Sequence, residues 1–141
     1  MNIGAIAVGV AQAAFSTACS YSSERQQFGS PISSFQAIQL LLADMAMKIE
    51  ASRLLVYEAA YKLDQNHPRS SMFASMAKCF STDTAMEVTT NAVQVLGGAG
   101  YVRDFPVERY MRDVKVSQIF EGTNQIQRLV IARSLLNSLP A

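Results

Sequence analysis

Ser33-Ser34-Phe35-Gln36-Ala37-Ile38-Gln39-Leu40-Leu41-Leu42-Ala43-Asp44-Met45 opens the stretch whose reading decides the fold. Ser33 with Gln36 three residues on predicts a capping box, two orphan helix donors satisfied reciprocally. From there Ile38, Leu41, Leu42, Met45, Ile49, Leu54, Leu55 and Leu63 recur at helical spacing as far as about Asn66. At 1.5 Å per residue such a helix is roughly 45 Å long. Asp44 with Lys48, and Glu58 with Lys62, are i,i+4 pairs for its wet side. The apolar face is wider than one partner helix needs, which predicts burial on two sides.

Upstream, a first helix is expected from about Asn2 to about Gln27. Gly4 and Gly9 weaken it and point to close packing. In Phe28-Gly29-Ser30-Pro31-Ile32, Gly29 suits the C-cap and Pro31 cannot continue the turn. Downstream, Asn66-His67-Pro68-Arg69 is a turn, with Pro68 near the start of a third helix that runs to about Leu96. Gly97-Gly98-Ala99-Gly100 breaks that helix. A short helix near Val107 to Val114 and a last one from about Asn124 to Leu136 complete the chain. Strand-like alternation is absent. The expectation is one all-α domain over 1–141, an antiparallel up-down four-helix bundle.

The chain of 141 residues is large enough for one real core. Half of it is hydrophobic and only 16% is charged, below the usual quarter. A surface short of charge implies burial against another copy or another domain. The net charge of +1, with acids and bases interspersed, favours neither nucleic acid nor an anionic membrane. The apolar opening, Ile3 to Phe15, is too short to span a bilayer and lacks a basic flank. Cys19 and Cys79 are isolated and read as reduced core thiols, which suits a cytoplasmic or mitochondrial-matrix setting.

Gln118-Ile119-Phe120-Glu121-Gly122-Thr123-Asn124-Gln125 carries the strongest chemical signal. Glu121 stands alone between apolar residues and a glycine, just before a helix. If Ile119 and Phe120 remove it from water, its pKa rises and it becomes a general base near neutral pH. Gly122 clears space for a substrate, and Thr123 or Asn124 can cap the helix. An ordinary junction with a solvated Glu fits the same residues.

Arg25 and Phe28 either close a helix end or grip a phosphate and face a planar ring. Gln94-Val95-Leu96-Gly97-Gly98 either ends a helix or admits a cofactor to the backbone. It is no dinucleotide fingerprint, because no strand precedes it. Met45, Met47, Met72, Met76 and Met86 read as core filler. The single histidine, His67, sits in a turn, so neither a metal cluster nor a His-activated nucleophile is expected. Arg112 and Asp113 are candidates to clamp the Glu121 loop.

These segments in this order resemble the C-terminal helical domain of the acyl-CoA dehydrogenases. The resemblance rests on Glu24-Arg25-Gln26-Gln27-Phe28-Gly29-Ser30-Pro31-Ile32, Phe35 to Gln39, Leu42 to Ala46, Gln94 to Tyr101, Pro106 to Arg109, Arg112-Asp113 and the Glu121 segment. It implies a flavin enzyme that oxidises acyl-CoA thioesters to 2-enoyl-CoA. In that likeness Glu121 is the base that takes the α-proton, and the β-hydride goes to the flavin. Phe120 and Gly122 match substrate contacts. Thr123 and Gln125 match residues near the FAD diphosphate and adenosine. Arg25, Phe28, Gln36, Gln94, Val95, Leu96, Gly97 and Gly98 match residues that reach the FAD of a neighbouring subunit. The resemblance also implies a homodimer or homotetramer and an electron-transfer flavoprotein as electron acceptor. Phe120 stands where many members have Tyr, and Asn124 where many have Ser. The family's N-terminal helical and middle β domains have no counterpart in the sequence, so the chain by itself is expected to be a weak or inactive catalyst. A non-catalytic oligomerisation module is the competing expectation.

Overall fold

The computed structural model describes residues 1–137. Four long helices dominate: α1 (Asn2–Glu24), α2 (Gln36–Asp64), α3 (Ser70–Leu96) and α6 (Asn124–Leu136). Between α3 and α6 lie a four-residue helix, α4 (Gly98–Tyr101), and α5 (Val107–Lys115). Helices α1, α2 and α3 pack on one another, and α3 also carries α5 and α6. The bundle is therefore built around α3, half of whose 27 residues are buried.

Small residues make this possible. Gly4, Ala7, Ala11, Ala14 and Ala18 form the buried stripe of α1. A Cβ on Gly4 would lie 3.2 Å from both the Ala77 carbonyl oxygen and a Val56 methyl, so the helices meet there almost backbone to backbone. Gly9 has open space beside it and serves no such contact. By length and composition alone, α1 could cross a bilayer. It is longer than the apolar stretch that the sequence marks out, and its small-residue face lies in the core of the bundle.

Two helix starts differ from expectation. Ser33 does not cap α2: residues Ile32–Ser34 form a 3₁₀ turn, and Phe35 precedes the helix without a side-chain cap. The Gln39 side chain instead donates to the Ser33 carbonyl at 3.0 Å. Helix α3 begins at Ser70, two residues beyond Pro68.

The first helix also stops early, at Glu24. Gln26–Gln27 pairs antiparallel with Ser30–Pro31. Phe28 (φ 52°) and Gly29 (φ 81°) form the two-residue turn between them. Both positive φ values are what a tight hairpin turn of this twist demands. So Gly29 closes a hairpin rather than a helix.

On α2, Met45, Ile49, Val56 and Ala59 face the core, whereas Leu40, Met47, Leu54, Tyr57 and Tyr61 are exposed. The wide apolar face is thus covered on one side only within the chain. Met47 is not core filler, unlike Met45 and Met72. Glu58 does pair with Lys62 at 3.4 Å. Lys48 ignores Asp44 and reaches across to Glu87 on α3. Cys79 is buried and Cys19 half-buried; both are free, and burial pushes both thiols up.

Candidate active site

The backbone after α5 is shaped by a pair of left-handed residues. A 3₁₀ turn, Val116–Gln118, delivers the chain to Glu121 (φ 55°) and Gly122 (φ 85°). A left-handed glutamate costs roughly 1–2 kcal/mol, so surrounding contacts must hold it. Thr123 ends the bend by accepting a bond from the Ile126 N–H at 3.3 Å, and is the N-cap of α6. The Gln127 side-chain amide reaches back to the carbonyls of Glu121 (3.1 Å) and Gly122 (3.3 Å).

This turn presents Glu121 to a cleft of about 580 Å³. Ile3 of α1, Leu63 of α2, and Ser75 and Lys78 of α3 line it with Glu121 and Gln127. Glu121 is exposed, and so are Ile119 (54%) and Phe120 (41%). The apolar shielding expected of those two neighbours is therefore not supplied within this chain. Gly122 and Gln125 are exposed, and Thr123 is half-buried.

What anchors the loop is a buried polar network on one face of α3. Lys78 is 3% exposed. Its ammonium donates to the Gly122 carbonyl (2.9 Å) and to the Asn124 side-chain oxygen (2.7 Å). The Asn124 amide nitrogen donates in turn to Thr82 Oγ1 (2.8 Å) and Asp83 Oδ1 (2.7 Å). Asp83 also accepts from Gln118 (2.6 Å) ahead of the loop and from Arg128 (2.6 Å) beyond it. Burial pushes the Lys78 ammonium below the ordinary lysine value, with Cys79 and Asp83 pulling the other way. Burial alone would raise Asp83, but hydrogen bonds from Arg128, Gln118 and Asn124 together hold it below the usual carboxylate range. Arg112 takes no part in this clamp, because it bonds Glu108 within α5 at 2.8 Å. Lys78 and Asp83 are the residues that sequence reasoning missed; no local pattern in the sequence sets them apart from the other polar residues of α3.

The second set of residues lies elsewhere. Arg25, Gln27, Val95, Leu96, Gly97 and Gly98 line a cleft of about 420 Å³ with Tyr21, Ile32 and Ala99. Gly97 has φ 60°, and neither Gly97 nor Gly98 has any atom within 4 Å of where a Cβ would stand. Arg25 makes no ion pair among the described residues. Gln94 is exposed and does not line this cleft. Phe28 is 93% exposed at the hairpin tip, its ring edge-on to Phe35 at 6.2 Å. Gln36 follows Phe35 and is exposed. Among the described residues no cluster of His, Cys, Asp and Glu could hold a metal. The His67 Nδ1 accepts from the Arg69 N–H.

The two clefts sit at opposite ends of α1. The Glu121 cleft includes Asn2 and Ile3, and the Arg25 cleft begins where the helix ends. Twenty-three residues at 1.5 Å each separate them by roughly 35 Å.

Residues 1–136 match the family model described as acyl-CoA dehydrogenase, C-terminal domain. The chain belongs to the acyl-CoA dehydrogenase family. It is 59% identical over 135 residues to the probable acyl-CoA dehydrogenase FadE25 of Mycobacterium tuberculosis, covering 96% of this chain and 35% of that protein. Butyryl-CoA dehydrogenase from Megasphaera elsdenii superposes with a TM-score of 0.92 at 49% identity, over 95% of this chain and 35% of that one. A chain in the structure of the electron transferring flavoprotein of Acidaminococcus fermentans gives 0.93 at 55% identity, over 96% and 36%. The chain thus spans about a third of the length of its acyl-CoA dehydrogenase relatives.

Proposed function

We propose that this chain is the base-carrying domain of an FAD-dependent acyl-CoA dehydrogenase, and that Glu121 abstracts the substrate's α-proton. The observation that carries the reading is a lone carboxylate, held on a left-handed turn, facing a cleft of about 580 Å³ of mixed lining, with Ile3 of α1 and Leu63 of α2 among its walls. The α-proton of a thioester is only weakly acidic, so its removal needs an aimed base and little competing water. Glu121 supplies the first. The second has to come from surfaces that cover Ile119 and Phe120, since both stay exposed in this chain. As the α-proton moves to the Glu121 carboxylate, the C–H electron pair becomes the new carbon–carbon π bond and the β-carbon loses hydride. Bound FAD supplies the acceptor for that hydride.

The Arg25 cleft fits part of such a cofactor. It combines a guanidinium that has no ion pair among the described residues, which suits a diphosphate, with two glycines that leave the backbone open. Phe28 adds a bare aromatic face. Thr123 and Gln125 would hold cofactor on the Glu121 side. A separation of roughly 35 Å along α1 supports one chain contributing to two different sites, each of which would draw on two chains. The exposed apolar face of α2 supports the same assembly, a homodimer or homotetramer. An acyl-CoA would be the substrate and an electron-transfer flavoprotein the onward acceptor.

The test is Glu121→Gln in the full-length enzyme containing this domain. The variant is expected to fold, retain flavin and lose about 10²–10⁴ in turnover, the usual worth of a general base. Activity within tenfold of the parent would move the base to another residue.

A further inference from the structure

Lys78 is a charge in the wrong place for a merely structural residue. It is 3% exposed in the first third of α3, and both of its hydrogen-bond acceptors are neutral oxygens. A buried ammonium is costly unless its surroundings repay it. The repayment is indirect: Asn124 accepts from Lys78 with its oxygen and donates to the Asp83 carboxylate with its nitrogen. The two charges fix which way that amide points, and the amide belongs to the first residue of α6. The remaining Lys78 bond goes to the carbonyl of Gly122. That carbonyl belongs to the second of the two consecutive left-handed residues, so the ammonium grips the loop one residue beyond the strained Glu121.

We propose that Lys78 is a positioning residue, which locks the Glu121-Gly122 backbone in its left-handed turn and so aims the Glu121 carboxylate into the cleft that Lys78 also lines. Asn124 and Asp83 complete the lock. Gln118 and Arg128 tie the two flanks of the loop to the same carboxylate, so the loop is held at both ends and in the middle from one face of α3. The proposal rests on Glu121 being the base, but its physical content, a loop held by an ammonium, can be measured separately.

Lys78→Met keeps most of the stem and deletes the donors. In the 141-residue chain, ¹⁵N relaxation should show the Glu121 and Gly122 amides falling from a rigid order parameter near 0.85 to below about 0.6, with the α3 amides unchanged. A folded variant with both amides still rigid overturns the proposal. If the variant does not fold, the parent chain decides. Its Lys78 ammonium protons should exchange with water at least about tenfold more slowly than those of exposed Lys115, and equal rates overturn the proposal.

In the full-length enzyme, misaiming the base should lower kcat by about 10²-fold. Flavin content should hold, and KM for acyl-CoA should stay within about threefold. If Glu121→Gln abolishes turnover while Lys78→Met leaves kcat unchanged, the positioning role is wrong and the base stands. If Glu121→Gln stays active, the base assignment falls, and the loop dynamics still decide whether Lys78 holds the turn.

Discussion

Gly122→Ala tests the geometry of the base-carrying loop with one methyl group. At φ 85°, an alanine adopts a left-handed backbone at a cost of roughly 1–2 kcal/mol. The new Cβ would also stand 2.6 Å from the Gln127 amide nitrogen. That nitrogen ends a flexible side chain, so it moves away instead of clashing. In moving it gives up its bonds to the Glu121 and Gly122 carbonyls. Both are long and solvent-exposed, so each is worth about 0.5 kcal/mol, the low end of the usual range. Together these terms predict a loss of roughly 2–3 kcal/mol. An unfolding entropy of about 2.1 cal/mol/K per residue gives about 0.3 kcal/mol/K for a chain of this size, so Tm should fall by roughly 7–10 °C. Calorimetry and urea titration of the 141-residue chain measure both quantities. Gly9→Ala is the control: Gly9 lies in α1 with open space around it, so the same change there should stabilise by about 0.5–1 kcal/mol. A Gly122→Ala protein that melts with the parent would refute the left-handed turn, and with it the account of how Glu121 is aimed.

The other predictions concern charge and packing. Asp83 has a depressed folded-state pKa, so it adds stability above the unfolded value of 3.8, and that stability is lost as pH falls through the folded value. Asp83→Asn should therefore weaken the chain at pH 7 and flatten its loss of stability below about pH 4, seen in urea midpoints measured across that range. Met45→Ala, at a site 1% exposed, should cost about 2–5 kcal/mol. Met47→Ala, at 63% exposure, should change monomer stability by less than about 0.5 kcal/mol. If the exposed face of α2 is an assembly surface, the Met47 change should instead weaken association in sedimentation.

Most of the fold was legible because long helices announce themselves. Glycine and proline mark the ends of α3, and Asn124 and Leu136 bound α6 where the pattern placed them. The misses have one physical origin: short-range signals were outcompeted by partners remote in sequence. Ser33 and Gln36 had the spacing of a capping box, yet the chain there turns through a 3₁₀ segment to bring Phe35 beside the hairpin tip. Asp44 and Lys48 had the spacing of an ion pair, yet Glu87 on the neighbouring helix captures the lysine. Phe28-Gly29 read as a helix stop because the two-residue strands on either side are too short to show alternation.

The site divides along the same line. Glu121, Gly122 and Thr123 could be singled out because each has a local reason to be there: a lone carboxylate, a left-handed glycine, a helix cap. Lys78 and Asp83 have no local reason, and the local reason for Asn124 is the wrong one. A lysine and an aspartate on a helix read as solvated, and an asparagine before an apolar turn reads as a cap. Only the fold reveals that α3 is the central helix, that Lys78 and Asn124 are buried with the half-buried Asp83 bonded to Asn124, and that Thr123 has already taken the capping role. Polar groups at the centre of a bundle must all find partners, and among the described residues no buried side-chain polar atom lacks one. Such a network has no sequence period and no motif; its members are drawn from α3, from the turn ahead of Glu121 and from α6. Its information lies in which polar residues the bundle buries, so it becomes readable only once the helix that everything else packs against is known.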